Sequence, residues 1–336
     1  MKRGRRDFAH NPLMARCLRI CAGQRKNRGA VALVIGLVGV SSSAVLNKGA
    51  VAAGMHPVWL NAMRLGLTVL VMLPFFLYSR AARMAVAGLP KKERYLTLLS
   101  GVMLAVHFAT WTGALMFTDA LVVTTVWSTY SLMTVLGSSL VLHERTPAPA
   151  LLGIVLATIG VGICAVGVSG VQLTGVALAL VAAASQAVYT LCGRNVRRTL
   201  DTLPYTMVVY TVAFGCMLLC ALVLRVPATG MNLQGIGASL ALAVVCTLGG
   251  HSMQNYALRH LKAPTVSAVM LLEVLTGPLL VFLVFGEIPG PAGIAGGVVI
   301  LAGVAWYMLC EQTGLLGKYL SWRAVFKVAA TKEERK

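Results

Sequence analysis

The chain has 336 residues, of which 58% are hydrophobic and only 12% charged, and its mean hydropathy of +0.80 excludes an ordinary soluble globular domain. A formal net charge of +19 would suit a nucleic-acid binder if the chain were soluble, so the placement of the basic residues has to decide what that charge means.

A helix that crosses a bilayer needs about 20 mostly apolar residues, and ten such segments follow one another: Ala30 to Ala53, Pro57 to Tyr78, Tyr95 to Phe117, Ala120 to Leu142, Pro147 to Val168, Leu173 to Gly193, Leu203 to Leu224, Leu233 to Leu258, Ala263 to Phe285, and Pro291 to Cys310. Each run is continuously apolar, whereas the strands of a membrane barrel alternate with period two, so the expected class is an all-α integral membrane protein. The first run is too long for a secretory signal and lacks a small-residue cleavage site, which predicts a retained helix. Residues 1–29 form a basic arm. Residues 313–336 form a basic tail in which Leu316, Tyr319, Leu320 and Trp322 are spaced as in an interfacial amphipathic helix.

If the spans alternate in direction, the Lys and Arg of the arm, of the tail, and of the loops after spans two, four, six and eight all fall on one side. The other side has only Arg225, while Lys48 and Arg64 lie within spans. The positive-inside rule then puts both termini in the cytoplasm and Asp119, Gln172 and Glu287 at the outer surface of the cytoplasmic membrane. On this reading the arm sets topology and touches anionic lipid, and nucleic acid is not a partner. The cysteines lie in apolar helices or on the arm, which predicts neither disulfides nor a metal site.

The stretch LVLHERTPAPALLGIVLATIGV, residues 140–161, returns as LVFGEIPGPAGIAGGVVILAGV, residues 283–304; Leu140, Val141, Glu144, Gly153, Val155, Gly160 and Val161 recur as Leu283, Val284, Glu287, Gly296, Val298, Gly303 and Val304. Ala114 and Leu115 recur as Ala257 and Leu258 in the same register. The unit is five helices, residues 30–168 and 169–312. Because five is odd, the second unit must cross in the opposite sense, a design used by transporters that bind substrate at the midplane between two halves.

The helix-end patterns LVLHERTP and LVFGEIPG, each before a glycine-spaced helix, together with LLEVLTGPLL and the SSSAVLNKG ending of the first helix, resemble the EamA-type permeases of the drug/metabolite transporter superfamily. The resemblance covers about residues 30 to 312. It implies ten helices in two inverted five-helix halves and the outward movement of small metabolites, often amino acids. One departure is that the family often has proline directly after the residue matching Glu273, whereas this chain has Val274 and places proline at 278, which predicts a helix break displaced by about a turn.

A charged residue within a span costs about 2.5–3.5 kcal/mol on insertion scales, so each should face the bundle interior. Glu273 is the deepest carboxylate, and its alternatives are substrate binding, proton coupling, or a structural hydrogen bond. Arg64, or Lys48 beside Asn47, could supply a balancing cation, or snorkel to the interface. His107 with Trp111, Trp127 with Tyr130, Gln186 with Tyr189, and His251 with Gln254 and Asn255 form polar or aromatic stripes at similar depth. Tyr130 overlies Glu273 in the repeat register, and His107 falls one position from His251. These residues are the candidate substrate site, with Glu273, His107 and His251 the candidates for proton coupling. Gly293 and Gly297 have the spacing that lets helices approach closely, within a monomer or at a homodimer seam. Thr146 reads as a helix N-cap before Pro147, and Glu144 and Arg145 read as turn and interface residues.

No phosphate-binding GxxxxGK[ST], HExxH or GxSxG motif occurs, so no cofactor, metal centre or enzyme activity is expected. The leading reading is a secondary transporter that exports amino acids or related amphipathic metabolites. Uptake or exchange of a cationic or nucleotide-like metabolite is the alternative, with the aromatic residues as cation–π or stacking faces. An intramembrane enzyme or a lipid-handling scaffold is the third.

Overall fold

The computed structural model of the chain describes residues 12–52, 54–118, 120–144, 146–164, 166, 172–286 and 290–313. Asp119, Arg145, Glu287, the side chain of Lys48 and the tail after Thr313 lie outside them, as do the expectations that rest on these residues. In chain order the helices are α1 (Pro12–Ser41), α2 (Ser43–Ala52), α3 (Pro57–Tyr78), α4 (Arg80–Ala87), α5 (Lys91–Ala114), α6 (Ala120–Ser128), α7 (Tyr130–Gly137), α8 (Ala148–Cys164), α9 (Leu173–Val196), α10 (Thr202–Val223), α11 (Leu233–Ala241), α12 (Ser252–His260), α13 (Ala263–Met270), α14 (Glu273–Phe285) and α15 (Pro291–Thr313). Wider π-helical turns extend α7 over Ser138–Leu142 and join α11 to α12 over Leu242–His251. Among the described residues nine helices are long and apolar enough to cross a membrane, and the expected fifth span is present as the shorter α8, of 17 residues. The helix begins at Pro12, well before the apolar run starts at Ala30.

Several spans are broken, and at two of the breaks hydroxyl side chains bond the helix carbonyls. Between α1 and α2, Ser41 Oγ donates to the Leu37 carbonyl at 2.7 Å and Ser42 Oγ to Val38 at 2.9 Å, bonds that bend a helix by competing for its carbonyls. Between α6 and α7, Ser128 Oγ and Thr129 Oγ1 each donate at 2.7 Å to the carbonyl three residues earlier. The fourth span therefore breaks immediately before Tyr130.

Between α13 and α14 the turn is at Leu271 and Leu272, whose amides bond three residues back at 3.3 and 3.0 Å, immediately before Glu273. The sequence expectation of a break displaced toward Pro278 is corrected. The tighter three-residue turn at Leu271 and Leu272, not the position of the proline, marks the break. Further along, His143 and Gly286 end their helices in left-handed conformation, with φ of 54° and 73°.

The tightest helix contact is between α8 and α15. A Cβ placed on Gly153 would lie 2.6 Å from the Gly303 carbonyl oxygen, and one on Gly160 would lie 2.8 Å from that of Gly296. Close approach therefore uses Gly296 and Gly303, while Gly297 meets Leu275 of α14. Gly293 and Gly297 also meet neighbours within the chain: Cys164 Sγ of α8 approaches the Gly293 carbonyl at 3.6 Å, and a Cβ on Gly297 would lie 3.0 Å from Leu275.

At one end of the bundle Arg197 is fully buried and donates to the carbonyls of Asn255 and Leu200 and to Thr202 Oγ1. Burial, aided by nearby Arg259, lowers its pKa to about 10, so it remains charged at neutral pH. Glu144 is at the same end and is corrected from an interface residue to a buried one: its side chain is only 9% exposed because two arginines of the second half cover it.

Candidate functional site

A cavity of about 70 Å³ lies among the helices and is lined by Val40, Ser43, Asn47, Asn61, Arg64, His107, Phe108, Trp111, Thr112, Thr124, Trp127, Tyr130, Gln186, His251, Gln254, Met270 and Glu273. Local breaks set much of this wall. Ser43 and Asn47 belong to α2, after the first span has bent, while Tyr130 and Glu273 are each the first residue of a helix that restarts at the cavity. His251 ends the π-helical stretch, which widens the turn between α11 and α12.

Arg64 reaches the cavity from α3, where His56 caps the helix and Pro57 starts it. Its Nε donates to Thr247 Oγ1 at 2.7 Å, and its guanidinium carbon lies 4.5 Å from the centre of the Phe108 ring. Phe108 in turn meets His251 edge to face at 5.4 Å. Glu273 faces the same space and interacts electrostatically with Arg64. Among the described residues neither is in ion-pair contact with an opposite charge. Trp127 stacks on Tyr130 at 4.7 Å and approaches His107 at 6.0 Å, while His107 Nδ1 bonds the Ala182 carbonyl at 3.2 Å. Three polar atoms of the lining residues, Trp127 Nε1, Gln186 Oε1 and His251 Nδ1, are buried without a hydrogen-bond partner among the described residues.

The cavity brings together Glu273, Arg64, His107, Trp111, Trp127, Tyr130, Gln186, His251, Gln254 and Asn47 from the residues singled out by sequence. Two candidates are elsewhere. Asn255 Nδ2 donates to the hydroxyl of Tyr189 and to the His251 carbonyl, and both side chains are wholly buried in helix packing, so these two are corrected to core residues. Val40, Ser43, Asn61, Phe108, Thr112, Thr124 and Met270 were missed. Asn61 was legible, being three residues before Arg64 on the same helical face. Phe108 was also legible, because it and not His107 is the register partner of His251.

Taking the register of 143 around the wall, five pairs of matching positions line the cavity: Ser43 and Gln186, Phe108 and His251, Trp111 and Gln254, Trp127 and Met270, Tyr130 and Glu273.

The profile of the EamA-like transporter family matches residues 27–166 and again residues 173–309. The chain belongs to this family. The double match divides the chain where the internal repeat does. A solved structure, described only as the crystal structure of a protein, is similar in fold with a TM-score of 0.70 at 17% identity, over 85% of this chain and 98% of that one. Comparison with curated proteins returns no match. This EamA-family chain is accordingly a multi-pass membrane protein and a transporter of small solutes, built from two repeats.

Proposed function

We propose that the chain is a secondary active exporter of amino acids or closely related zwitterionic metabolites, working by alternating access between two inverted five-helix repeats in the cytoplasmic membrane. The observation that carries the proposal is the pair Arg64 and Glu273, which face one cavity and, among the described residues, make no ion-pair contact. A substrate carboxylate would bind the guanidinium and its ammonium would bind Glu273, so that each charge gains a direct ion-pair contact. The unpartnered Trp127 Nε1, Gln186 Oε1 and His251 Nδ1 supply further polar contacts once substrate or water enters.

The five register pairs around the cavity support a site on the axis that relates the halves, where a transporter that exchanges their conformations keeps its substrate. The reciprocal glycine contacts of α8 and α15 support the same relation, since Gly153 and Gly160 correspond in register to Gly296 and Gly303. The charge distribution supports cytoplasmic termini. A cavity of about 70 Å³, far below the roughly 300–1,000 Å³ of drug-sized pockets, favours a small solute over a nucleotide-like one. Arg64 in the wall disfavours a bare cation.

Counterflow into liposomes holding the purified protein tests the reading. Radiolabelled amino acid should accumulate only in vesicles preloaded with a competent amino acid. Accumulation driven by nucleotides or polyamines and not by amino acids would overturn the substrate class. For topology, a thiol reagent applied from outside should label a cysteine at the exposed position Gln172 but not one at the exposed position Lys92; the reverse result would overturn the orientation.

A further inference from the structure

The end of the bundle beneath the cavity is tied together by one carboxylate. Glu144 Oε1 accepts from Arg194 Nε at 2.8 Å and Nη2 at 2.7 Å, and from Arg198 Nη2 at 3.0 Å. Its Oε2 accepts the backbone amide of Ala263 at 3.2 Å. Arg194 Nη1 carries the network on to the Leu258 carbonyl at 2.7 Å. One residue of the first repeat thereby joins the ends of α9, α12 and α13, all in the second. Around it, Lys262 pairs with Glu311 at 2.6 Å and Arg259 with Asp201. Between this network and the cavity, the Tyr130 hydroxyl donates to the Ser267 carbonyl at 3.2 Å and Ser131 Oγ to Ser267 Oγ at 3.2 Å, so the two repeats are closed against each other there as well.

The repeat register makes the network asymmetric. Residues 30–55 overlie 173–198 with Leu37, Val38, Ser42, Ala44 and Val45 recurring as Leu180, Val181, Ser185, Ala187 and Val188. In that register Glu144 corresponds to Glu287, but Arg194 and Arg198 correspond to Val51 and Met55. The anion is repeated and its two cations are not.

We propose that Glu144 with Arg194 and Arg198 is a one-sided gate lock, which holds the cytoplasmic face shut and biases the substrate-free protein toward the state open to the outside. This rests on the alternating-access reading. Opening inward must pull Glu144 away from α9 and α13, which separates a mostly buried charge from its partners, whereas no register-related cations exist to lock the outer face in the same way. Substrate bound between Arg64 and Glu273 would have to stabilise the inward-open state enough to offset the lock, which makes the lock a determinant of direction as well as of resting state.

The test uses Ser267→Cys in a version of the full chain without its native cysteines, in inside-out vesicles. Ser267 is wholly buried, so the rate at which a membrane-impermeant maleimide labels it reports opening toward the cytoplasm. Glu144→Gln should raise that rate about tenfold, a size usual for a conformational coupling. Arg198→Gln, which removes the partner that is 46% exposed, should raise it about threefold, and it serves as the test if the Glu144 variant does not fold. An unchanged rate in a folded variant would overturn the lock. Counterflow measured on the parent chain keeps the two readings apart. A parent that moves no solute removes the transport reading while the labelling still reports on the lock, and an active parent with unchanged variant labelling removes only the lock.

Discussion

The two repeats share a skeleton and differ where they meet the cavity. Both break a helix one residue before matching positions, Tyr130 and Glu273, and both end that helix in left-handed conformation at matching positions, His143 and Gly286. Both present matching glycines to the α8–α15 contact. At the wall, however, the first repeat places Phe108, Trp111, Trp127 and Tyr130 where the second places His251, Gln254, Met270 and Glu273. Backbone geometry has thus been kept while side-chain chemistry has diverged, so that at these four matching positions the first repeat is aromatic and the second mostly polar. A small amphipathic solute would meet two unlike surfaces and bind in one orientation, which a symmetric site could not impose.

The largest expected effect comes from removing the charge that one repeat has and the other lacks. Glu273→Ala should lower counterflow by at least about 100-fold, since an unpaired Arg64 would then face the cavity alone. Glu273→Gln should keep substrate binding, measured as a ligand-dependent rise in thermal stability, but lose the response of net transport to a pH gradient. If the Gln variant retains that response, Glu273 is not the coupling group, and His107 and His251 become the candidates.

The shared skeleton should be the next most sensitive. Gly303→Leu directs a side chain into backbone atoms of Gly153 and Ala157 already within 2.9 Å of a built Cβ, and should cost about 3 kcal/mol or more, read as loss of folded protein or a large fall in unfolding temperature. The register-related Gly160→Leu should behave alike. A clear difference between the two would break the proposed equivalence of the repeats.

Arg64→Lys should weaken transport about tenfold, mainly through KM, because an ammonium cannot reproduce the planar guanidinium over Phe108 and beside Thr247. Trp127→Met, which copies Met270 into the first repeat, should raise KM by a few fold and leave folding intact. An unaltered KM would mean that the aromatic wall does not touch the substrate. The smallest effect should be that of Thr129→Val, which removes one of the hydroxyl bonds at the break before Tyr130 and should shift stability by about 1 kcal/mol or less.

The apolar runs, the one-sided charge, the internal repeat and the family resemblance were all legible in the sequence, because bilayer insertion acts on each segment separately and leaves a local mark in composition. The convergence of Arg64, Glu273, His107 and Trp127 on one cavity required tertiary structure, since helical periodicity says which residues share a face but not which face points to the axis. Tyr189 and Asn255 illustrate this: they belong to the same stripes as Gln186 and Gln254, yet they bond each other in the packed interior. Glu144 is the converse case. Its position beside a turn suggested the interface, and only the approach of α9 and α13 from the other repeat supplied the donors that bury it. Sequence by itself determined which segments enter the membrane and how often the unit repeats, because those depend on transfer from water to lipid. Which polar groups are left facing a cavity and which satisfy one another was decided by packing between the repeats, because a hydrogen bond or ion pair exists only when both partners are brought together.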